Sequence, residues 1–347
     1  MTASKALIAM SGGVDSSVAA ILTQQAGYDC VGATMLLHDP AADTSDAQAV
    51  AEKLNIPFYV LDCSKAFQEK VMDPFVSSYE SGLTPNPCVE CNRYLKFGVL
   101  LEKALELGCQ YIVTGHYCRI RQDANGRFLL YKATDPGKDQ SYFLYSLTQH
   151  QLSHTLFPLA ELSKEQARVI AEDNGFLNAR KKDSQDICFI PDGDYFPFLQ
   201  HYTGKTYPQG DFLDMESNTV GTHKNAVAYT RGQRKGLGLA MGKPVYVCHK
   251  NMQNNTVTVG DNAELFNTTL VATDWNWIPF DSPAAPMRVL AKARSRMTEQ
   301  PATVYPMANG QARVVFDQPQ RAITTGQAVV LYDGDMVIGG GTIREVL

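Results

Sequence analysis

The chain has 347 residues, enough for two or three domains. At 44% hydrophobic and 19% charged residues it has a globular composition, and its net charge of −5 argues against a protein that coats nucleic acid without specificity. No apolar run reaches the roughly 18 residues of a membrane helix, and the N-terminus runs straight into a strand, so neither a membrane span nor a signal peptide is expected and the setting is cytoplasmic.

Residues 6–10 form a short apolar run that predicts a buried parallel strand. Ser11, Gly12 and Gly13 break it, and residues 14–25 follow with helical spacing, Val14, Val18, Ile21 and Leu22 on one face. A strand, a Gly-rich turn and a helix start make a phosphate cradle, because the bare backbone comes close to an anion and free N–H groups face it. No Gly-Lys-Ser/Thr follows, so this is not a Walker A loop. Asp15 would repel a phosphate unless it holds Mg²⁺ or shapes the loop.

A second strand is expected over 30–37, a helix over 46–54 and a third strand over 57–61. That alternation predicts a doubly wound parallel sheet, with ligands beyond the C-terminal ends of its strands. Met35 lies at such an end, where it lines a purine pocket or simply fills core. Residues 64–83 read as helix. Thr84-Pro85-Asn86-Pro87-Cys88-Val89-Glu90-Cys91-Asn92-Arg93 then gives a rigid extended entry to another helix. Cys91 near that helix start, with Arg93 and Lys96 close in sequence, predicts a lowered thiol pKa. The strand at 111–117 ends in Gly115 and His116. Gly115 permits close approach of a ligand, and His116 is a site residue or a strand-end cap. A hairpin strand is expected at 127–133 after Asn125-Gly126. Ser163 caps a helix, with Gln166 closing the box.

From about residue 205 helical periodicity fades into short β-like runs. Arg231, Arg234 and Lys235 sit in a Gly-punctuated loop, suited to phosphates or to a plain hairpin. A linker is expected over 275–286. Evenly spaced strands then run on, closed by Gly339-Gly340-Gly341 and a short last strand, a pattern that suggests a small barrel. The fold class expected is α/β, a doubly wound parallel sheet followed by a small β-rich central domain and a C-terminal β-barrel. The boundaries read as 1–204, 205–275 and 276–347.

Of eight cysteines, Cys30, Cys63, Cys109, Cys118 and Cys248 read as buried small hydrophobes, with no disulfide framework. Cys88-x-x-Cys91 and the distant Cys188 have polar neighbours instead. Structural zinc wants four ligands and finds one C-x-x-C pair. A thiol that carries an extra sulfur can attack an activated carbon, and a second thiol can then break the S–S bond.

Ser11-Gly12-Gly13-Val14-Asp15-Ser16 resembles the pyrophosphate loop of the ATP-pyrophosphatase superfamily. Taken with Asn86-Pro87, Cys91-Asn92, Thr114-Gly115-His116-Tyr117, Lys138-Asp139-Gln140, Ile187-Cys188-Phe189-Ile190 and Tyr229-Thr230 with Gly232-Gln233-Arg234-Lys235-Gly236-Leu237-Gly238, it resembles the tRNA-specific 2-thiouridylases over nearly the whole chain. That resemblance implies ATP-dependent adenylation of the C2 oxygen of a wobble uridine and its replacement by sulfur. It implies ATP contacts at Ala9, Met10, Ser11, Gly12, Gly13, Val14, Asp15, Ser16, Met35 and Gly115, with Mg²⁺ offsetting phosphate charge. It implies tRNA contacts at Asn86, Pro87, Cys88, His116, Lys138, Asp139, Gln140, Arg294, Ser295 and Gln327, and a tRNA-binding role for the central module. Cys91 takes the part of nucleophile and Cys188 that of persulfide carrier.

One departure stands out. Many members have Asp three residues before the nucleophile, and this chain has Cys88. Cys88, Cys91 and Cys188 offer three thiolates for a 4Fe-4S cluster with an open iron, so a persulfide route and a cluster route both stand. The sulfur source is accordingly a desulfurase or relay protein, or inorganic sulfide. Two rival functions are a ligase of the same superfamily that adenylates a small molecule, and a non-catalytic tRNA-binding sulfur carrier.

Overall fold

The computed structural model describes residues 3–39, 41–179, 181, 187–191 and 193–347. Arg180, Lys182 and residues 183–186, in the basic run before Cys188, lie outside the described residues. The first sheet starts with β1 (Lys5–Ala9), β2 (Asp29–Leu36), β3 (Phe58–Asp62) and β4 (Tyr111–Val113). A hairpin of β5 (Cys118–Gln122) and β6 (Phe128–Lys132) follows, and β7 (Thr155–Leu156) then completes the sheet. Its order is β3-β2-β1-β4-β7 and every pairing is parallel. Helix α1 (Val14–Gln25) and α2 (Ser45–Lys53) are two of its crossovers. Ala6, Leu7 and Ile8 of β1 are wholly buried, as expected of a central parallel strand covered on both faces. Strand order reverses between β1 and β4, so the loops after these two strands open the crevice where such sheets bind ligands.

The helix that carries the first two site cysteines runs over 87–106. Asn86 is extended (φ −116°) and Pro87 opens the helix, a position where the missing N–H costs nothing. The stretch Cys91–Val99 is π-helical, a feature sequence periodicity does not show. Such wide turns leave carbonyls without helical donors. Here the Gln151 amide donates to Arg93 O at 3.1 Å and to Phe97 O at 2.7 Å, while its own oxygen accepts from Thr148 N at 2.9 Å. Gln151→Leu is expected to cost about 2–3 kcal/mol, because two part-buried carbonyls lose their donor. Thr148→Ala, which removes only a helix cap, should cost about 1 kcal/mol. Denaturant unfolding of the two variants separates these outcomes, and equal losses would refute the assignment.

The second sheet holds β8 (Gly210–Leu213), β9 (Thr219–His223), β10 (Tyr246–Asn251) and β11 (Thr256–Gly260), in the order β10-β11-β8-β9. The third holds β12 (Phe266–Trp277), β13 (Met287–Lys292), β14 (Gln300–Pro306), β15 (Ala312–Arg321), β16 (Ala328–Asp333) and β17 (Met336–Val346). Strand β12 pairs antiparallel with both β15 and β17, which closes a six-stranded barrel. Trp275 and Trp277, expected in a linker, instead finish β12 and stack at 4.6 Å. Gly339, Gly340 and Gly341, expected ahead of the last short strand, lie inside an 11-residue β17. A Cβ on Gly339 would stand 2.3 Å from Asn276 O, and one on Gly340 2.5 Å from the Tyr145 ring. Close approach of neighbouring chain explains these glycines.

The barrel is not a separate bead. Leu7 and Ile112 of the parallel sheet share one buried cluster with Val330, Tyr332 and Val337 of the barrel. The Tyr142 hydroxyl donates to Ala328 O at 2.9 Å inside that contact. Strand β6 pairs with β17 at Tyr131 and Met336, so the early hairpin extends the barrel wall. No helix among the described residues is long and apolar enough to cross a membrane.

Candidate active site

The loop after β1 is held by its own side chains. Gly12 takes φ +71° and comes within 3.1 Å of the Asp46 side chain at its missing Cβ, so only glycine fits. Ser11 N donates to Ser16 Oγ at 3.2 Å, and the Ser16 and Ser17 hydroxyls each donate to Gly13 O at 3.0 Å. Asn178 Nδ2 bridges Gly12 O and Ser17 Oγ at 3.0 and 2.9 Å. Gly12, Gly13 and the first turn of α1 thus keep a fixed, donor-rich shape.

Asp15 resolves the phosphate paradox posed by the sequence. Its carboxylate accepts two bonds from Lys164 Nζ, at 2.8 and 2.9 Å, and one from the Tyr117 hydroxyl at 2.7 Å. Lys164 is almost fully buried. Its positive charge offsets the carboxylate where a phosphate would otherwise meet bare negative charge. Asp15 thereby braces the loop against Lys164 and Tyr117. Lys164 and Asn178 escaped the sequence reading. Lys164 is the first residue after the Ser163 cap, and helical spacing gives no sign that it turns back to α1.

Gly115 joins the two loops. A Cβ there would lie 2.7 Å from Asp15 C and 2.8 Å from Ser16 N, so its backbone packs flush on the first turn of α1. That packing leaves no room for a side chain at this position. His116 is buried, with Nδ1 2.8 Å from Thr114 Oγ1 and its ring against Phe97 and Phe157. Burial, with the nearby Lys96 charge adding to it, holds His116 well below the usual imidazole range and therefore neutral. Met10 is buried, and Met35 packs between two core clusters.

The three thiols come from two segments. Cys91 is buried, whereas Cys88 and Cys188 reach the surface, although protein packed around each sulfur still desolvates it. Phe189 pins the second segment, its ring 5.6 Å from Phe67 and 5.2 Å from Phe75. Cys188 thereby comes within electrostatic reach of Cys91 and Cys88, and burial followed by those two thiols pushes it up to about 11. Burial also raises Cys88 and Cys91, with Lys96 pulling each back. The expected lowering of the Cys91 pKa is thus overturned: desolvation outweighs the cation. Arg93, the second cation expected to help, is turned away and grips Asp274 of β12. Among the described residues, no three His, Cys, Asp or Glu side chains are placed to hold a metal ion. As arranged, the three thiols are not grouped to hold a cluster.

Several residues expected at a tRNA surface also hydrogen-bond within the chain. Asp139 accepts from Ala133 N, Ser141 N and Ser141 Oγ, at 3.2, 3.2 and 2.8 Å. Gln140 Oε1 accepts from Tyr117 N at 3.0 Å. Arg294 donates to Thr324 Oγ1 at 2.6 Å and to Arg231 O at 3.2 Å, and Arg231 itself reaches Asn267 at 2.7 Å. Gln327 Nε2 donates to Thr84 O at 2.9 Å and Pro85 O at 3.2 Å, just ahead of Asn86 and Pro87. Lys138 and Ser295 are half-buried beside these residues.

A parallel sheet with a Ser-Gly-Gly-Val-Asp-Ser turn at its switch point, and thiols beside it, defines a nucleotide-binding α/β domain of the HUP class. The model of the tRNA methyl transferase HUP domain matches residues 4–192, that of the matching PRC-barrel domain 197–261, and that of the aminomethyltransferase β-barrel domain 267–343. The tRNA-specific 2-thiouridylase MnmA of Clostridioides difficile is 46% identical over 99% of this chain and 99% of its own. That of Acetivibrio thermocellus is 46% identical over 99% of this chain and 100% of its own. The chain belongs to the tRNA-specific 2-thiouridylase family. Among solved structures, the NMN synthetase of Francisella tularensis superposes at a TM-score of only 0.34 with 20% identity, covering 58% of this chain and 78% of its own.

Proposed function

We propose that this chain is a tRNA-uridine 2-sulfurtransferase that uses ATP to make the C2 oxygen of a wobble uridine a leaving group. The observation that carries the reading is the placement of three thiols on two segments, all under the charge of Lys96, which also acts on His116 beside the Gly115 contact with the phosphate loop. A small-molecule ligase has no use for that arrangement.

The loop from Ala9 through Ser16 holds the triphosphate. The uridine C2 oxygen attacks the α-phosphorus and pyrophosphate leaves. Mg²⁺, when bound with ATP, would offset the charge of the phosphates. Cys188, exposed and so open to a sulfur donor, carries a persulfide. Its terminal sulfur attacks C2 and AMP leaves. The Cys91 thiolate then attacks Cys188 Sγ, which frees the thiocarbonyl and leaves a Cys91–Cys188 disulfide. A thiol reductant and a new persulfide sulfur reset the site. The target base must leave the anticodon stack to reach these groups, and Asn86, Pro87 and Cys88 lie at the mouth of that path.

The test is a pair of measurements on Cys188→Ser with transcribed tRNA, ATP and a persulfide source. Pyrophosphate release is expected to continue while 2-thiouridine falls below about one part in a thousand of the parent, the scale of losing a covalent step. Undiminished thiolation would refute the carrier role. A parent chain that converts no ATP in the presence of tRNA would refute the function.

A further inference from the structure

We infer that the C-terminal barrel positions the thiol-bearing segment 84–93 by clamping it at both ends, with Asp274 as the positioning residue at the Cys91 end. The inference rests on the proposed function for its meaning and on geometry for its substance. At the upstream end, Thr84 N donates to Thr325 O at 3.0 Å, and Gln327 Nε2 reaches the carbonyls of Thr84 and Pro85. Gly326, at φ +88°, lies so close that a Cβ would stand 2.9 Å from Thr84 N and 3.0 Å from Thr84 O. At the downstream end, both Asp274 oxygens take the Arg93 guanidinium in a two-pronged pair, the longer prong 3.2 Å.

Asp274 itself occupies the left-handed region at φ +53°, where β12 slips register against β17 between Thr273 and Asn276. A non-glycine residue held there costs energy, and the bulge is what aims its carboxylate at the helix. Asn276, on the same bulge, donates to Tyr145 O and Leu147 O at 2.7 and 3.0 Å, which fixes the bulge to the first domain. Between the two clamps lie Asn86, Pro87, Cys88 and Cys91. The pair also keeps Arg93 away from the thiols, so it limits both the motion and the local charge of Cys91. Gln327 accordingly acts through the segment it holds, in place of a direct grip on tRNA.

The test uses the full chain with Asp274→Ala, Asp274→Asn and the charge swap Arg93→Asp with Asp274→Arg. Iodoacetamide labelling of Cys91, read by mass spectrometry without ATP or tRNA, is expected to quicken about fivefold in Asp274→Ala. That is the factor carried by a part-exposed ion pair. The swap should return labelling to within about twofold of the parent. With tRNA and ATP, pyrophosphate release should hold while sulfur incorporation falls by a similar factor. Parental labelling in Asp274→Ala, or no recovery in the swap, would overturn the clamp. A parent that labels normally yet never releases pyrophosphate would sink the functional reading and leave the clamp standing.

Discussion

Lys164→Met is expected to lower kcat/KM for ATP about a hundredfold. The ammonium donates to both Asp15 oxygens from a buried site, and Asp15 stands in the first turn of α1, where the proposed reading brings a phosphate. With Lys164 gone the carboxylate loses its cationic partner and is left with the Tyr117 hydroxyl. Two negative charges about 5 Å apart, at an effective dielectric of about 20, repel by roughly 3 kcal/mol. That converts to about two powers of ten in rate. The Asp15→Asn, Lys164→Met double variant removes the repulsion along with its remedy, so it should recover most of the loss. Pyrophosphate-release kinetics across ATP concentration decide the matter. Parental kcat/KM in the single variant would show that Asp15 lies off the phosphate path.

That prediction was out of reach of the sequence, and the reason is physical. The Ser-Gly-Gly-Val-Asp-Ser string is local chemistry, and its strand, turn and helix follow from residues next to one another. The parallel sheet and the antiparallel barrel follow from periodicities of the same kind, and both stand in the structure. Lys164 and Asn178 reach the loop from helices and turns far along the chain, and contacts across such distances leave no spacing to read. The π-helical stretch at Cys91–Val99 is invisible for a related cause. It is stabilised by Gln151, which reaches it from a helix much later in the chain. The Cys91 pKa failed in a third way: sequence neighbours gave the sign of the Coulomb effect from Lys96, while burial, which tertiary packing decides, outweighed it. Gly339 to Gly341 were legible as glycines that matter but not as strand, because what crowds them is a neighbouring strand and the Tyr145 ring.

Lys96→Met should slow sulfur transfer about tenfold near neutral pH and move its pH profile to the alkaline side by about one unit, a change of about 1.4 kcal/mol in thiolate stability. The argument turns on sign. Burial raises Cys88, Cys91 and Cys188, Cys188 to about 11, and Lys96 is the cation that opposes the rise at all three. A thiolate is the nucleophile, so the thiolate fraction near neutral pH limits the step, and removing the cation lowers it further. Raising the pH should restore the variant towards the parent, which a misfolded chain would not show. Stability follows the same groups. A thiol whose folded pKa lies above its unfolded value keeps its proton longer in the folded state. Its contribution is therefore full below about pH 9 and is lost towards about 11 for Cys188. Losing Lys96 should steepen that alkaline decline. Single-turnover thiolation and denaturant unfolding between pH 7 and 10 read both effects, and a pH profile unmoved by the substitution would show that another group sets the thiolate fraction.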